Sequence, residues 1–153
     1  ITTYNNRNTI IQNMTPLSSG CMKDESHHLT IEHLQKGVQG YVEYALNYPL
    51  KNRITCVDYS RRKIKYKDED GQIQTDPEMS NLSQKFFESI QEKNRELATE
   101  CVNLLPSEID VEEKMKMMMN MGQLMVDVNQ GARGSKTDFT HDFVKGVCSE
   151  SVQ

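Results

Sequence analysis

No apolar run in this 153-residue chain approaches the roughly 20 residues that span a bilayer, so no membrane association is expected. The start lacks the charged, then apolar, then small-residue order of a signal sequence. Because it opens on Ile1 rather than methionine, an excised or processed piece is expected. No two cysteines stand at C-x-x-C spacing. Cys21, Cys56, Cys101 and Cys148 are spread evenly, and three fall in apolar patterns where a reduced thiol behaves as a small hydrophobe. Free thiols and an intracellular setting follow, with one or two disulfides as the alternative. Asn13 and Asn81 head N-x-S/T triplets, which arise by chance and do not change that setting. Cys21, His27 and His28 are metal-capable but match no zinc spacing, and GARGSK has the wrong order for a phosphate loop of the Walker type. No metal and no cofactor are expected. There is no internal repeat, and no heptad pattern persists.

What is present is an alternation of period two across residues 54–77. Ile54 and Cys56 alternate with Thr55 and Val57, Ile64 and Tyr66 with Lys63, Lys65 and Lys67, and Ile73 sits between Gln72 and Gln74. Such alternation marks strands with one buried and one wet face. Asp70-Gly71 supplies the positive φ of a tight turn. A three-stranded antiparallel meander is expected, and one so small must lay its apolar face on helices.

Helical periodicity flanks it. Thr30 caps a stripe of Ile31, Leu34, Val38, Tyr41, Val42 and Ala45 that ends at Pro49, with Gly37 and Gly40 inside it. Each glycine costs about 1 kcal/mol against alanine, and close approach of another backbone is the favoured reading of them, with mere tolerance as the alternative. Asp76-Pro77 starts a long helix through Met79, Leu82, Phe86, Ile90, Leu97, Cys101 and Leu105. A third helix opens at Ser107 or Asp110 and stops at Gly131, carrying six of the nine methionines between Met115 and Met125. Phe139, Phe143 and Val147 define a short last helix. Residues 1–20, rich in Asn, Thr and Ser, read as a linker with one edge strand at Ile10 and Ile11, and 21–29 as loop; 21–150 form a single domain. The fold class is α+β: a helix, a three-stranded antiparallel meander, then three helices packed on the sheet.

Charge is unevenly placed. Net charge is −4, from 18 basic and 22 acidic residues, but residues 51–67 hold seven basic residues and one acid, Asp58. Arg53, Arg61, Arg62, Lys63 and Lys65 suit phosphate oxygens, with Tyr59 or Tyr66 to stack on bases. The competing reading is an edge strand guarded by lysines. The methionine helix poses a similar choice. Either it is buried on several sides, or Met115, Met118, Met119 and Met125 form an adaptable face for another protein or a second copy. A third possibility, phosphodiester chemistry at Tyr59 or Asp58, lacks an oriented base.

The succession LTIEHLQKGVQGYVEYALNYPLKNRITCVDYSRRKIKYKDEDGQIQTDPEMSNLSQKFFESIQEKN resembles a C-terminal module of uncharacterised proteins of giant DNA viruses and related mobile elements. Those proteins carry a Cys/His zinc finger, a coiled coil and an asparagine-rich linker in front, and ITTYNNRNTIIQNMTPLSS is similar to that linker. The resemblance covers roughly residues 5–100, most specifically 40–50 and 56–77. It implies a non-enzymatic accessory module attached to a DNA-binding front half, in the cytoplasm or nucleus of a host cell. Neither the finger nor the coiled coil is present here. The residues thus point to a binding module for nucleic acid or a nucleic-acid-associated protein, with oligomerisation through the methionine helix as the alternative.

Overall fold

The computed structural model describes residues 13–151, and these form a mixed α+β fold. Three helices precede the sheet: α1 Ser19–Asp24, α2 Ile31–Gln35 and α3 Val38–Asn47. The sheet is β1 Ile54–Asp58, β2 Lys63–Lys67 and β3 Ile73–Asp76, an antiparallel meander in the order β1-β2-β3. Then follow α4 Ser80–Asn103, α5 Val111–Ala132 and α6 Asp138–Glu150. Of these three, α4 and α6 pack on strands, while α5 lies mainly along α4 as an antiparallel hairpin.

Several elements differ from expectation. The stretch 21–29 is not loop: α1, capped by Ser18, leads into a 3-10 turn Glu25–His28. It is held by Met22 and Leu29, both fully buried. Met14 and Leu17, within the stretch read as linker, are buried, and Leu17 N–H donates to the Lys67 carbonyl at 2.8 Å. The strand expected at Ile10 and Ile11 lies outside the described residues. The helix expected from Thr30 is two helices, broken where Gly37 takes φ +68°. The break folds α3 back so closely that the Gly40 Cα lies against the carbonyl of His33.

The start of α4 is delayed. Pro77–Met79 is a 3-10 turn in which Glu78 and Met79 take φ of 57° and 55°. Asp76 nevertheless caps α4 from below, accepting from Leu82 N–H at 2.8 Å and Asn81 N–H at 3.2 Å. This carboxylate is buried, which is tolerable because both oxygens face orphan amide donors at a helix N-terminus.

The core is aromatic where α3, α4 and α6 meet. Phe86 stacks on Phe143 at 4.7 Å, Phe87 stands edge-on to Phe86 at 5.2 Å, and Tyr44 closes the group. Inside it sits one polar chain. The Tyr41 hydroxyl donates to Asn94 Oδ1, and Asn94 Nδ2 reaches the Leu124 carbonyl at 3.5 Å, so α3, α4 and α5 are tied together. All four cysteines are free thiols, and Cys56, Cys101 and Cys148 are buried.

One cap makes the fold sensitive to pH. At the head of α2, Thr30 N–H donates to His33 Nδ1 at 3.1 Å and His33 N–H to Thr30 Oγ1 at 3.4 Å, a reciprocal box with histidine in the usual place of glutamate. Burial lowers the His33 pKa from its ordinary 6.5, Glu43 opposing this and Lys36 adding to it. Neutral His33 therefore stabilises the fold. That contribution is complete above about pH 6.5, the unfolded value, and is lost as pH falls through the lower folded value. The melting temperature is expected to fall more steeply between pH 7 and 5 than in His33→Gln, whose amide oxygen accepts the same bond without titrating. Parallel melting curves against pH would discard the cap as the cause.

Candidate nucleic-acid interface

The cationic surface is built on β2, the middle strand. Lys65 stands between Thr55 and Thr75, Lys67 opposite Ile73 and Lys63 opposite Asp58, so the lysines and these residues share one face. Ile64 and Tyr66 face the core. Consecutive lysines on a strand face are about 6.6 Å apart. Because β2 is flanked on both sides, its lysines are not guarding an edge, and that reading of them is overturned. The β1 edge is itself covered, with Cys56 N–H donating to the Ser151 carbonyl at 2.9 Å.

At one end of this face the turn 59–62 is organised by Asp58. Its Oδ1 accepts from Ser60 Oγ at 2.8 Å and Arg61 N–H at 3.3 Å, and Arg61 Nε lies 3.8 Å from Oδ2. The Ser60 hydrogen bond, then the Arg61 N–H and the charges of Arg61 and Lys63, hold this carboxyl below the usual carboxylate range against a desolvation that raises it. The local acid thus shapes the turn and leaves the cations in excess. The Arg61 side chain is 77% exposed. Arg62 takes φ +52°, a left-handed conformation that swings it away from Arg61 toward the start of α4. Tyr59 is 44% exposed and available for stacking. Tyr66 is not: it is buried, and desolvation, then Asp76 and Asp68, push its pKa up.

Tyr59, Arg61 and Lys63 are therefore brought together, with Lys65 further along the face, while Arg62 leaves the same turn toward Glu78. Arg53 is at the opposite end of β1, half-buried, donating from Nη1 to the Pro49 carbonyl at 2.9 Å. Neither Asp58 nor Tyr59 lines any of the main clefts among the described residues. Among those residues no group of three or more His, Cys, Asp or Glu side chains could hold a metal ion. His27 Nδ1 donates to the Asp24 carbonyl, and His28 stacks on Tyr48 at 4.3 Å. No described helix is long and apolar enough to cross a membrane.

A second group of charges lies beneath the turn, and no motif announces it. Lys136, from the loop between α5 and α6, lies 3.1 Å from Glu78 across 58 residues of chain. Proximity of that kind leaves no trace in local spacing.

The methionine helix is turned differently from expectation. Met121 and Val128 are buried, with Met117 and Leu124 partly so; Met115, Met118 and Met119 are 57%, 49% and 71% exposed, and Met125 is half-buried. Burial on several sides is overturned. Val111, Met115, Met118, Gly122, Met125 and Asn129 run along α5 at alternating spacings of four and three. A Cβ on Gly122 would touch nothing within 4 Å.

No protein-family model matches the chain, and neither a curated protein nor a solved structure matches it.

Proposed function

We propose that this chain is a non-catalytic binding module that holds nucleic acid on the cationic face of its meander, with Arg61, Arg62, Lys63 and Lys65 on phosphates and Tyr59 against a base. The observation that carries this reading is the position of the lysines. Lys63 and Lys65 are half-exposed on the face of a middle strand turned away from Ile64 and Tyr66, where neither edge protection nor core packing accounts for them, and the turn beside them presents a 77% exposed arginine. The resemblance to a module of giant-virus and mobile-element proteins fits the same role, in a host cytoplasm or nucleus. Anisotropy of labelled single- and double-stranded DNA and RNA tests it. Binding is expected to weaken with salt with a log-log slope of about −3 to −4, as for about four phosphate contacts. Absence of binding at low salt removes the proposal.

A second reading concerns a second copy of the chain. Leu104, Val111, Met115, Met118, Met119 and Val126 are each between 47% and 71% exposed. Together they present on the order of 600 Å² of apolar surface, near the roughly 800 Å² per partner of a standard interface. Antiparallel pairing about Gly122 would bring Glu112 and Glu113 of one copy toward Arg133 of the other and make a four-helix bundle of two hairpins. A concentration-dependent dimer in sedimentation equilibrium, abolished by Met118→Asp, is the expected result. A monomer at about 100 μM, far above the Kd of a standard specific interface, counts against it.

A further inference from the structure

Where the turn 59–62, the start of α4 and the loop 133–137 converge there is a cleft of about 100 Å³, lined by Arg62, Glu78, Lys136 and His141 together with hydroxyl side chains such as Ser80 and Thr140. Liquid water occupies about 30 Å³ per molecule, so the space suits one tetrahedral oxyanion. Its charges come from three separate elements and surround one carboxylate. Lys136 Nζ lies 3.1 Å from Glu78 Oε2. The Lys136 hydrogen bond and charge, with smaller contributions from Arg62 and His141, hold the Glu78 carboxyl below its usual range against desolvation. Arg62 makes no side-chain hydrogen bond or ion pair among the described residues. One acid thus faces two permanent cations and a histidine. The acid is also easily moved aside, since the Glu78 side chain is 55% exposed and its partner Lys136 78%.

We infer that this cleft is a phosphate-binding site in which the Glu78 carboxylate stands in for the phosphate until one arrives. A phosphate oxygen takes over the Lys136 ammonium, Arg62 supplies a forked pair of N–H donors, and Glu78 swings to solvent. The source of the phosphate rests on the function proposed above. A strand lying along the meander reaches the cleft through Arg62, and its terminal phosphate, which projects beyond the last sugar, is the group that a small, half-open single-anion space admits.

Two titrations of the whole chain test this. In the first, inorganic phosphate is added and the His141 ring and Gly134 amide resonances are followed by NMR. Saturable shifts are expected. Affinity should be about tenfold weaker in Lys136→Ala, which removes one charge-assisted hydrogen bond to the anion, and several-fold tighter in Glu78→Gln, which removes the competing carboxylate. No saturable shift, unchanged affinity in Lys136→Ala, or no tightening in Glu78→Gln overturns the inference. In the second, matched oligonucleotides with a 5′-phosphate or a 5′-hydroxyl are compared. A preference of about tenfold for the phosphate, the size expected of one charge-assisted hydrogen bond, that disappears in Lys136→Ala supports it. Equal binding of the two oligonucleotides overturns the strand end as the source and leaves the meander reading standing. Saturable binding of inorganic phosphate with no oligonucleotide binding supports the cleft and overturns the meander reading.

Discussion

Gly40→Ala is expected to cost about 4 kcal/mol or more and to lower the melting temperature by about 10 °C or more. The added Cβ would lie 1.8 Å from the His33 carbonyl oxygen, 2.7 Å from its carbon and 3.0 Å from its Cα. All three are backbone atoms, so no rotamer change relieves the overlap. Nor is the backbone free to retreat. His33 is held by the Thr30 cap, and Tyr41, next to Gly40, is fully buried with its hydroxyl on Asn94. Relief requires reopening the bend at Gly37 and withdrawing α3 from the aromatic core. Gly122→Ala is the control. It is also within a helix, but has open space around it, and is expected to gain up to about 1 kcal/mol from helix propensity. Thermal melts that move both variants the same way would refute the close approach.

Reversal of three charges, Arg61→Glu, Arg62→Glu and Lys63→Glu together, is expected to weaken oligonucleotide binding by about 10³-fold and to reduce the salt slope by about 3. Each phosphate left without its cation forfeits one released counterion, and each new carboxylate repels the strand. The cost to folding is modest and comes mainly from Arg62, which is half-buried and faces Glu78. Arg61 is mostly solvated and its pair with Asp58 is a surface pair worth at most about 1 kcal/mol. A melt within a few degrees of the parent therefore separates failed binding from failed folding. Arg53→Ala is the informative contrast, expected to leave affinity nearly unchanged and to lower stability instead, since its guanidinium is spent on Pro49. Equal affinity in the triple variant and the parent would exclude the turn as a phosphate contact.

The strands, the last helix and the long α4 were legible because period-two and period-3.6 patterns there are uninterrupted and end at strong turn signals. α1 was not, since a six-residue helix with a single buried side chain, Met22, has no period to show. The break at Gly37 was hidden because Leu34, Val38 and Tyr41 stay in phase across it. Ile73 was placed with the core by alternation, yet it is 46% exposed. Asp68 accepts from Asp70 N–H and Gln72 N–H and so fixes a turn that puts Ile73 opposite Lys67, on the wet face. The methionine stripe was legible as a stripe but not in direction, because apolar residues on many sides of a helix point to no single face. Of the candidate interface, the turn cations were readable from charge density, and the middle position of β2 only from strand pairing.

The buried polar chain through Asn94 has a bearing on uniqueness rather than strength. Two long helices joined by a short loop and facing each other with Leu97, Ala98, Met121 and Val128 have nearly equivalent ways to slide past one another, since aliphatic surfaces mesh about as well one turn further along. Asn94 accepts only one of them. A slip of about 5.4 Å carries its amide away from the Leu124 carbonyl and its oxygen away from Tyr41, leaving buried polar atoms unmatched at about 1–3 kcal/mol each. Within the hairpin this amide, together with the Gln91–Asn129 and Gln84–Ala132 hydrogen bonds beside it, forbids the alternatives, and the alignment of the exposed methionines on α5 is inherited from them.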